Sequence, residues 1–132
     1  MKSYWAIAAL LASGVASAGA DDKAASVATI GTGTFSCAKF AKYDAEPNNT
    51  GQMNLIVQWA WGFISAYNLR AAFAATFQEN DAPNPVSPLD AAATVTYIRN
   101  YCEKNPQSNV ANATLGLIST AGGTVTSTVK LP

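Results

Sequence analysis

The chain has no histidine among its 132 residues and only two cysteines, Cys37 and Cys102. Without histidine, a Ser-His-Asp or Cys-His nucleophile is excluded and the commonest proton shuttle is missing. Zinc would have to be held by carboxylates and these two thiols alone. Charge is scarce as well, at 12% of residues, about half the usual share of about 25%. The eight basic and eight acidic side chains balance, so no concentrated basic patch is expected, which argues against nucleic acid or anionic membrane as partner. No stretch reaches the roughly 20 apolar residues that a membrane-spanning helix needs, and no internal repeat is visible.

The amino-terminal residues 1–20 have the layout of a secretion signal: Lys2 at the start, an apolar run from Tyr4 to Leu11, and small residues at Ala16-Ser17-Ala18. Cleavage is expected after Ala18 or Ala20. Loss of Lys2 leaves seven basic against eight acidic side chains, a net charge of minus one. A periplasmic or secreted location follows, and with it an oxidising environment. There, Cys37 and Cys102 are expected to form a structural disulfide closing 65 residues, since reactive pairs usually take the Cys-x-x-Cys form absent here.

Residues 21–34 are Ala, Gly, Ser and Thr with few large apolar groups, which reads as a flexible lead-in. A helical domain is expected over 35–121. Its first helix runs from about Ser36 to Asp44, capped by Thr34 or Ser36 with Phe40 inward, and Pro47, Asn48, Asn49 and Gly51 break it. The longest pattern, Met53 to Gln78, places Leu55, Ile56, Trp59, Phe63, Ala66, Tyr67, Phe73, Ala74 and Phe77 at three- and four-residue steps. Trp61, Ile64 and Leu69 interrupt its other face, so this helix is either buried on most sides or shows an apolar strip to a partner. A proline-rich loop, Glu79 to Pro88, follows. Ser87 is the expected cap of a third helix with Pro88 at its first position, running to about Lys104 with Leu89, Ala92, Val95, Ile98 and Cys102 inward. A fourth spans about Gln107 to Ser119 and stops at Gly122-Gly123; residues 122–132 read as an extended or disordered tail. The fold class is all-α: a small bundle of about four helices with one disulfide, Cys37 to Cys102.

The densest cluster of candidate contacts is Trp59, Trp61, Phe63, Tyr67, Asn68 and Arg70. Gly62 and Ala66, four apart, share a face on which a second helix backbone can come close, and core packing around one tight crossing is the simplest use of it. Binding is the other: Trp and Tyr dominate contact hot spots, and Trp59 and Trp61, two apart, point away from each other. The acids Asp44, Glu46, Glu79, Asp81 and Asp90 sit near helix ends or in loops, with no spacing that asks for paired-carboxylate catalysis or a calcium loop. No catalytic residue, metal or cofactor is assigned. Asn48-Asn49-Thr50 and Asn112-Ala113-Thr114 match the glycosylation pattern, which is common by chance.

Three short segments carry a family resemblance: Thr34-Phe35-Ser36-Cys37, the stretch Trp59 to Asn68, and Tyr101-Cys102-Glu103-Lys104-Asn105-Pro106, followed by Ala113 and Leu117. Together they resemble the HdeA-like periplasmic proteins and, in layout, the Tai-type immunity proteins of type VI secretion. The first resemblance implies an acid-stress chaperone, a disulfide-held dimer that loosens at low pH and covers unfolding clients. Acid would leave seven positive side chains without counter-charge. The second implies a dimer that plugs a toxin's cleft, for which the loop Glu79 to Pro88 is suited. The expected function is a non-enzymatic, protein-binding exported domain, homodimeric through its central aromatic helix; the rival is a small carboxylate-based hydrolase.

Overall fold

The computed structural model describes residues 30–87 and 89–124. The expected secretion signal, residues 21–29 of the lead-in and residues 125–132 of the tail lie outside the described residues. Four α-helices follow a short 3-10 turn, Gly31–Thr34: α1 (Cys37–Ala45), α2 (Thr50–Thr76), α3 (Ala91–Lys104) and α4 (Val110–Thr120). The protein is an all-α bundle with one disulfide, Cys37 to Cys102.

Helix ends are set by local side chains. Ser36 caps α1, its hydroxyl accepting from the Lys39 amide at 3.2 Å, and Asn109 caps α4, its carbonyl accepting from the Asn112 amide at 2.9 Å. At α3 the cap is Asp90, which accepts from Ala93 N–H at 2.7 Å, so the helix starts three residues later than a Ser87 cap would put it. A carboxylate satisfies a free amide and the positive helix end at once, and Asp90 takes the position that the sequence pattern gave to Ser87. The start of α4 is likewise later than Gln107, because Asn105 to Ser108 form a turn before Asn109.

Two endings share one geometry. After α2, Gln78 takes a left-handed conformation (φ 54°) and the Glu79 amide donates to the Ala74 carbonyl at 3.0 Å. After α4, Gly122 (φ 91°) and the Gly123 amide do the same with Ile118 at 2.9 Å.

One corner holds the bundle's lower half. Beside the disulfide, the Cys37 amide donates to the Ser108 carbonyl at 2.8 Å and the Val110 amide to the Phe35 carbonyl at 3.0 Å. The entrance of α1 is thereby fixed to the α3–α4 turn. Cys37, Phe40, Ile56, Ala60, Ile98 and Val110 pack there as a buried cluster. A second cluster of Ile64, Val86, Leu117 and Ile118 continues the core upward. Along the outside of α1 and α3, Arg99 donates to both Asp44 oxygens, at 2.5 and 2.8 Å.

The last residues before α1 depart from the expected flexible lead-in. Gly31–Thr34 docks on α2: the Trp59 indole donates to the Ile30 carbonyl at 2.8 Å and the Thr32 hydroxyl to the Leu55 carbonyl at 3.3 Å. Gly33 is required for this, since a Cβ there would lie 2.0 Å from the Trp59 ring. Low apolar content misleads here because the large group is supplied by α2.

The Cys37-Cys102 link, which closes 65 residues, constrains the unfolded chain by about 4 kcal/mol. The pair of substitutions Cys37→Ala and Cys102→Ala is expected to lower stability by about that amount, read as the loss in a urea unfolding curve against the oxidised wild type.

Candidate functional site

Helix α2 has 27 residues and a length of about 40 Å, roughly twice that of α3. Its buried positions are Ile56, Val57, Ala60, Ile64, Ala71 and Ala74. Three of these six are alanines, so α2 lies close to its neighbours and its larger side chains are left on the other side. Leu55 is 51% exposed, Leu69 58%, Phe73 53% and Phe77 72%. With 3.6 residues per turn, these four fall on one face with Gly62 and Ala66 between them.

That exposure answers the choice the sequence leaves open between a helix buried on most sides and one that shows an apolar strip: Leu55, Ala66, Phe73 and Phe77 lie outward on α2. The spacing defines an apolar face without saying which side of the helix meets the bundle. The expected tight crossing at Gly62 is absent among the described residues: a Cβ added there meets nothing of them within 4 Å. Glycine inside a helix costs about 0.5–1 kcal/mol relative to alanine, and no packing among the described residues accounts for Gly62.

Each of the six candidate contact residues has a defined place. Trp59 and Phe63 stack on each other, centroids 5.3 Å apart, and the 3-10 turn covers part of Trp59. Trp61 points to the far side, its indole donating to the buried Thr94 hydroxyl at 3.2 Å while 39% of the residue stays exposed. The Tyr67 hydroxyl donates to the Asn84 carbonyl at 2.8 Å and accepts from the Thr124 amide at 2.7 Å. Asn68 pairs with both backbone groups of Val86 at 2.9 Å. Arg70 meets Glu79 at 2.5 Å, with both side chains about half exposed. Tyr67, Asn68 and Arg70 thus organise the proline-rich loop from inside, and Val86 anchors it in the core.

The clefts are shallow. One of about 290 Å³ lies between Trp61, Ile64, Ser65, Asn68 and Leu89. Another of about 400 Å³ runs over the disulfide between α1 and α3, with Asp44, Arg99 and Glu103 at its edge. The guanidinium hydrogen-bonded to Asp44 holds its carboxyl below the usual aspartate range, against the opposing effect of burial. Among the described residues, no group of three or more His, Cys, Asp or Glu is placed to hold a metal ion, and no helix is long and apolar enough to cross a membrane.

Sequence spacing missed three features: the seat for Trp59 at Gly31 and Gly33, the Asp44–Arg99 pair, and the Trp61–Thr94 bond. Each joins residues more than 20 apart, and only the repeated Gly-Thr of Gly31–Thr34 hints at any of them. No family model, curated protein or solved structure matches the chain.

Asn68→Ala is expected to cost about 2 kcal/mol by orphaning two partly buried backbone groups and to open the loop Glu79 to Ser87 to limited proteolysis. Because the folded Asp44 carboxyl titrates lower than it does unfolded, its ion pair contributes fully above about pH 3.9 and is lost as pH falls below that toward the folded value. With Arg99 partly in solvent, the contribution is about 1 kcal/mol. In Asp44→Asn, stability is expected to lose that part of its acid dependence, measured by urea midpoints at pH 7 and pH 2.5.

Proposed function

We propose that the chain is an exported, non-enzymatic protein-binding domain that covers apolar segments of unfolding proteins, in the manner of the HdeA-like periplasmic chaperones. The observation that carries this reading is the exposed stripe of Leu55, Leu69, Phe73 and Phe77 on α2. Large apolar groups aligned on one helix face stay hydrated at a cost in free energy that is relieved when another protein covers them. The stripe is uncharged, so it suits apolar chain segments rather than a charged ligand. An oxidised Cys37–Cys102 pair accords with export through a secretion signal at residues 1–20.

The non-enzymatic part of the reading is supported by the acids. Asp44, in the groove over the disulfide, is engaged by Arg99, and Glu79 is engaged by Arg70.

A second reading is favoured by one feature. The loop Glu79 to Ser87 is held by Tyr67 and Asn68, and a pre-organised loop loses little entropy on insertion into a cleft. That suits an immunity protein, and a gene for a secreted toxin beside this one would favour it over the chaperone.

The chaperone reading is tested with reduced, unfolding lysozyme, following light scattering and an apolar-surface dye from pH 7 to pH 2. Suppression of scattering and a rise in dye binding at acid pH are expected. The double variant Phe73→Ser and Phe77→Ser is expected to suppress about thirtyfold less well, the scale of one lost contact hot spot of about 2 kcal/mol. A protein that stays folded, dye-silent and without effect on scattering at pH 2 would sink the chaperone hypothesis.

A further inference from the structure

We propose that residues 125–132 lie over the outward face of α2 as a displaceable strap, with Val129 set against Phe73 and Leu131 against Phe77. The inference rests on reading that face as a protein contact, and it names what covers the stripe when no client is bound.

The point of departure is fixed. Thr124 is held at Tyr67, whose hydroxyl accepts from its amide at 2.7 Å. Tyr67 lies about 120° around α2 from Phe73 and about 9 Å from it along the axis, so the route over the helix surface is about 15 Å. An extended chain advances about 3.3 Å per residue, which brings Val129, five residues on, to Phe73. Leu131 then lies about 6.6 Å further, close to the roughly 6 Å that separates two helical residues four apart, as Phe73 and Phe77 are.

The segment has the matching pattern. Alternate residues of an extended chain share a side, and here Val125, Ser127, Val129 and Leu131 alternate with Thr126, Thr128 and Lys130. The first side is apolar except at Ser127. That exception falls where the route crosses Arg70, which is paired with Glu79, and a hydroxyl suits so polar a crossing. Lys130 is the segment's one charged side chain. It arrives at the carboxyl end of α2, where the helix dipole, Glu79 and Asp81 favour a cation. The opposite direction, toward Leu55, leads to the amino end of α2, whose dipole repels one.

Covering by so short a segment is reversible. The burial of two valines and a leucine is set against the entropy of ordering eight residues, so a longer apolar segment of an unfolding protein displaces the strap. The stripe is thereby covered at rest and open to a client.

The test uses the mature chain with its disulfide intact, at pH 7. Nuclear Overhauser contacts are expected from the Val129 and Leu131 methyl groups to the Phe73 and Phe77 rings. In a mixture of labelled and unlabelled copies, none should cross from one copy to the other. The double variant Val129→Asp and Leu131→Asp should shift docking about 100-fold toward the open form, since each buried valine or leucine contributes about tenfold or more. That shift is read as a rise in apolar-dye binding at unchanged far-UV circular dichroism, and adding Phe73→Ser and Phe77→Ser should abolish the rise. Absence of the methyl–ring contacts, contacts only between copies, or a folded double variant that binds dye as wild type does would overturn the proposal. The first outcome leaves the stripe to clients alone, and the second gives it to a second copy. The two readings fail separately. A chain that suppresses aggregation through Phe73 and Phe77 without methyl–ring contacts would remove the strap and leave the chaperone; a docked strap with no effect on a client, even in the Asp variant, would do the reverse.

Discussion

The corner at Cys37 is the constraint on which the rest of the bundle depends. A covalent bond to Cys102 and two backbone hydrogen bonds, through Ser108 and through Phe35 to Val110, converge within four residues of one another at the start of α1. Helix α1 has only nine residues, and a helix that short is marginal in water without tertiary support. Its attachment at the corner, with Phe40 buried beside the disulfide and Asp44 gripped by Arg99, replaces what length would otherwise supply. The core that α2 and α4 complete is then built against a fixed edge.

A small protein with so firm an edge can carry an element that does not pay its own way. Helix α2 does this in its last turns, beyond Asn68, where only Ala71 and Ala74 are buried. The alanines let it sit close while Leu69, Phe73 and Phe77 remain in water. The disulfide corner and the exposed Leu69, Phe73 and Phe77 thus lie on different parts of the bundle, while Leu55, at the other end of the stripe, sits beside Ile56 of the corner cluster.

Acid reaches the corner through one pair. Below about pH 4 the Asp44–Arg99 pair weakens and net positive charge rises, while the disulfide and its neighbouring backbone bonds carry no titrating group and continue to tie α1 to α3 and to the turn before α4.

Helix number, order and approximate bounds were legible in the sequence, because periodicity, proline placement and Ser or Asn caps act over a few residues. The pairing of Cys37 with Cys102 was legible too, there being no alternative thiol. The Asp90 cap, three residues beyond Ser87, was not, since both residues have capping side chains and packing chose between them. The candidate site was legible as a segment but not as a surface: Trp59, Tyr67 and Asn68 sit in the expected cluster, yet the turn at Gly31–Thr34 and the loop at Val86 occupy them. By itself the sequence determined that α2 has large apolar residues on more than one side, together with a small pair at Gly62 and Ala66. Only the tertiary structure decided which side faces inward, because that depends on how closely α3 and α4 approach, and close approach selected the alanine face and left leucine and phenylalanine outside.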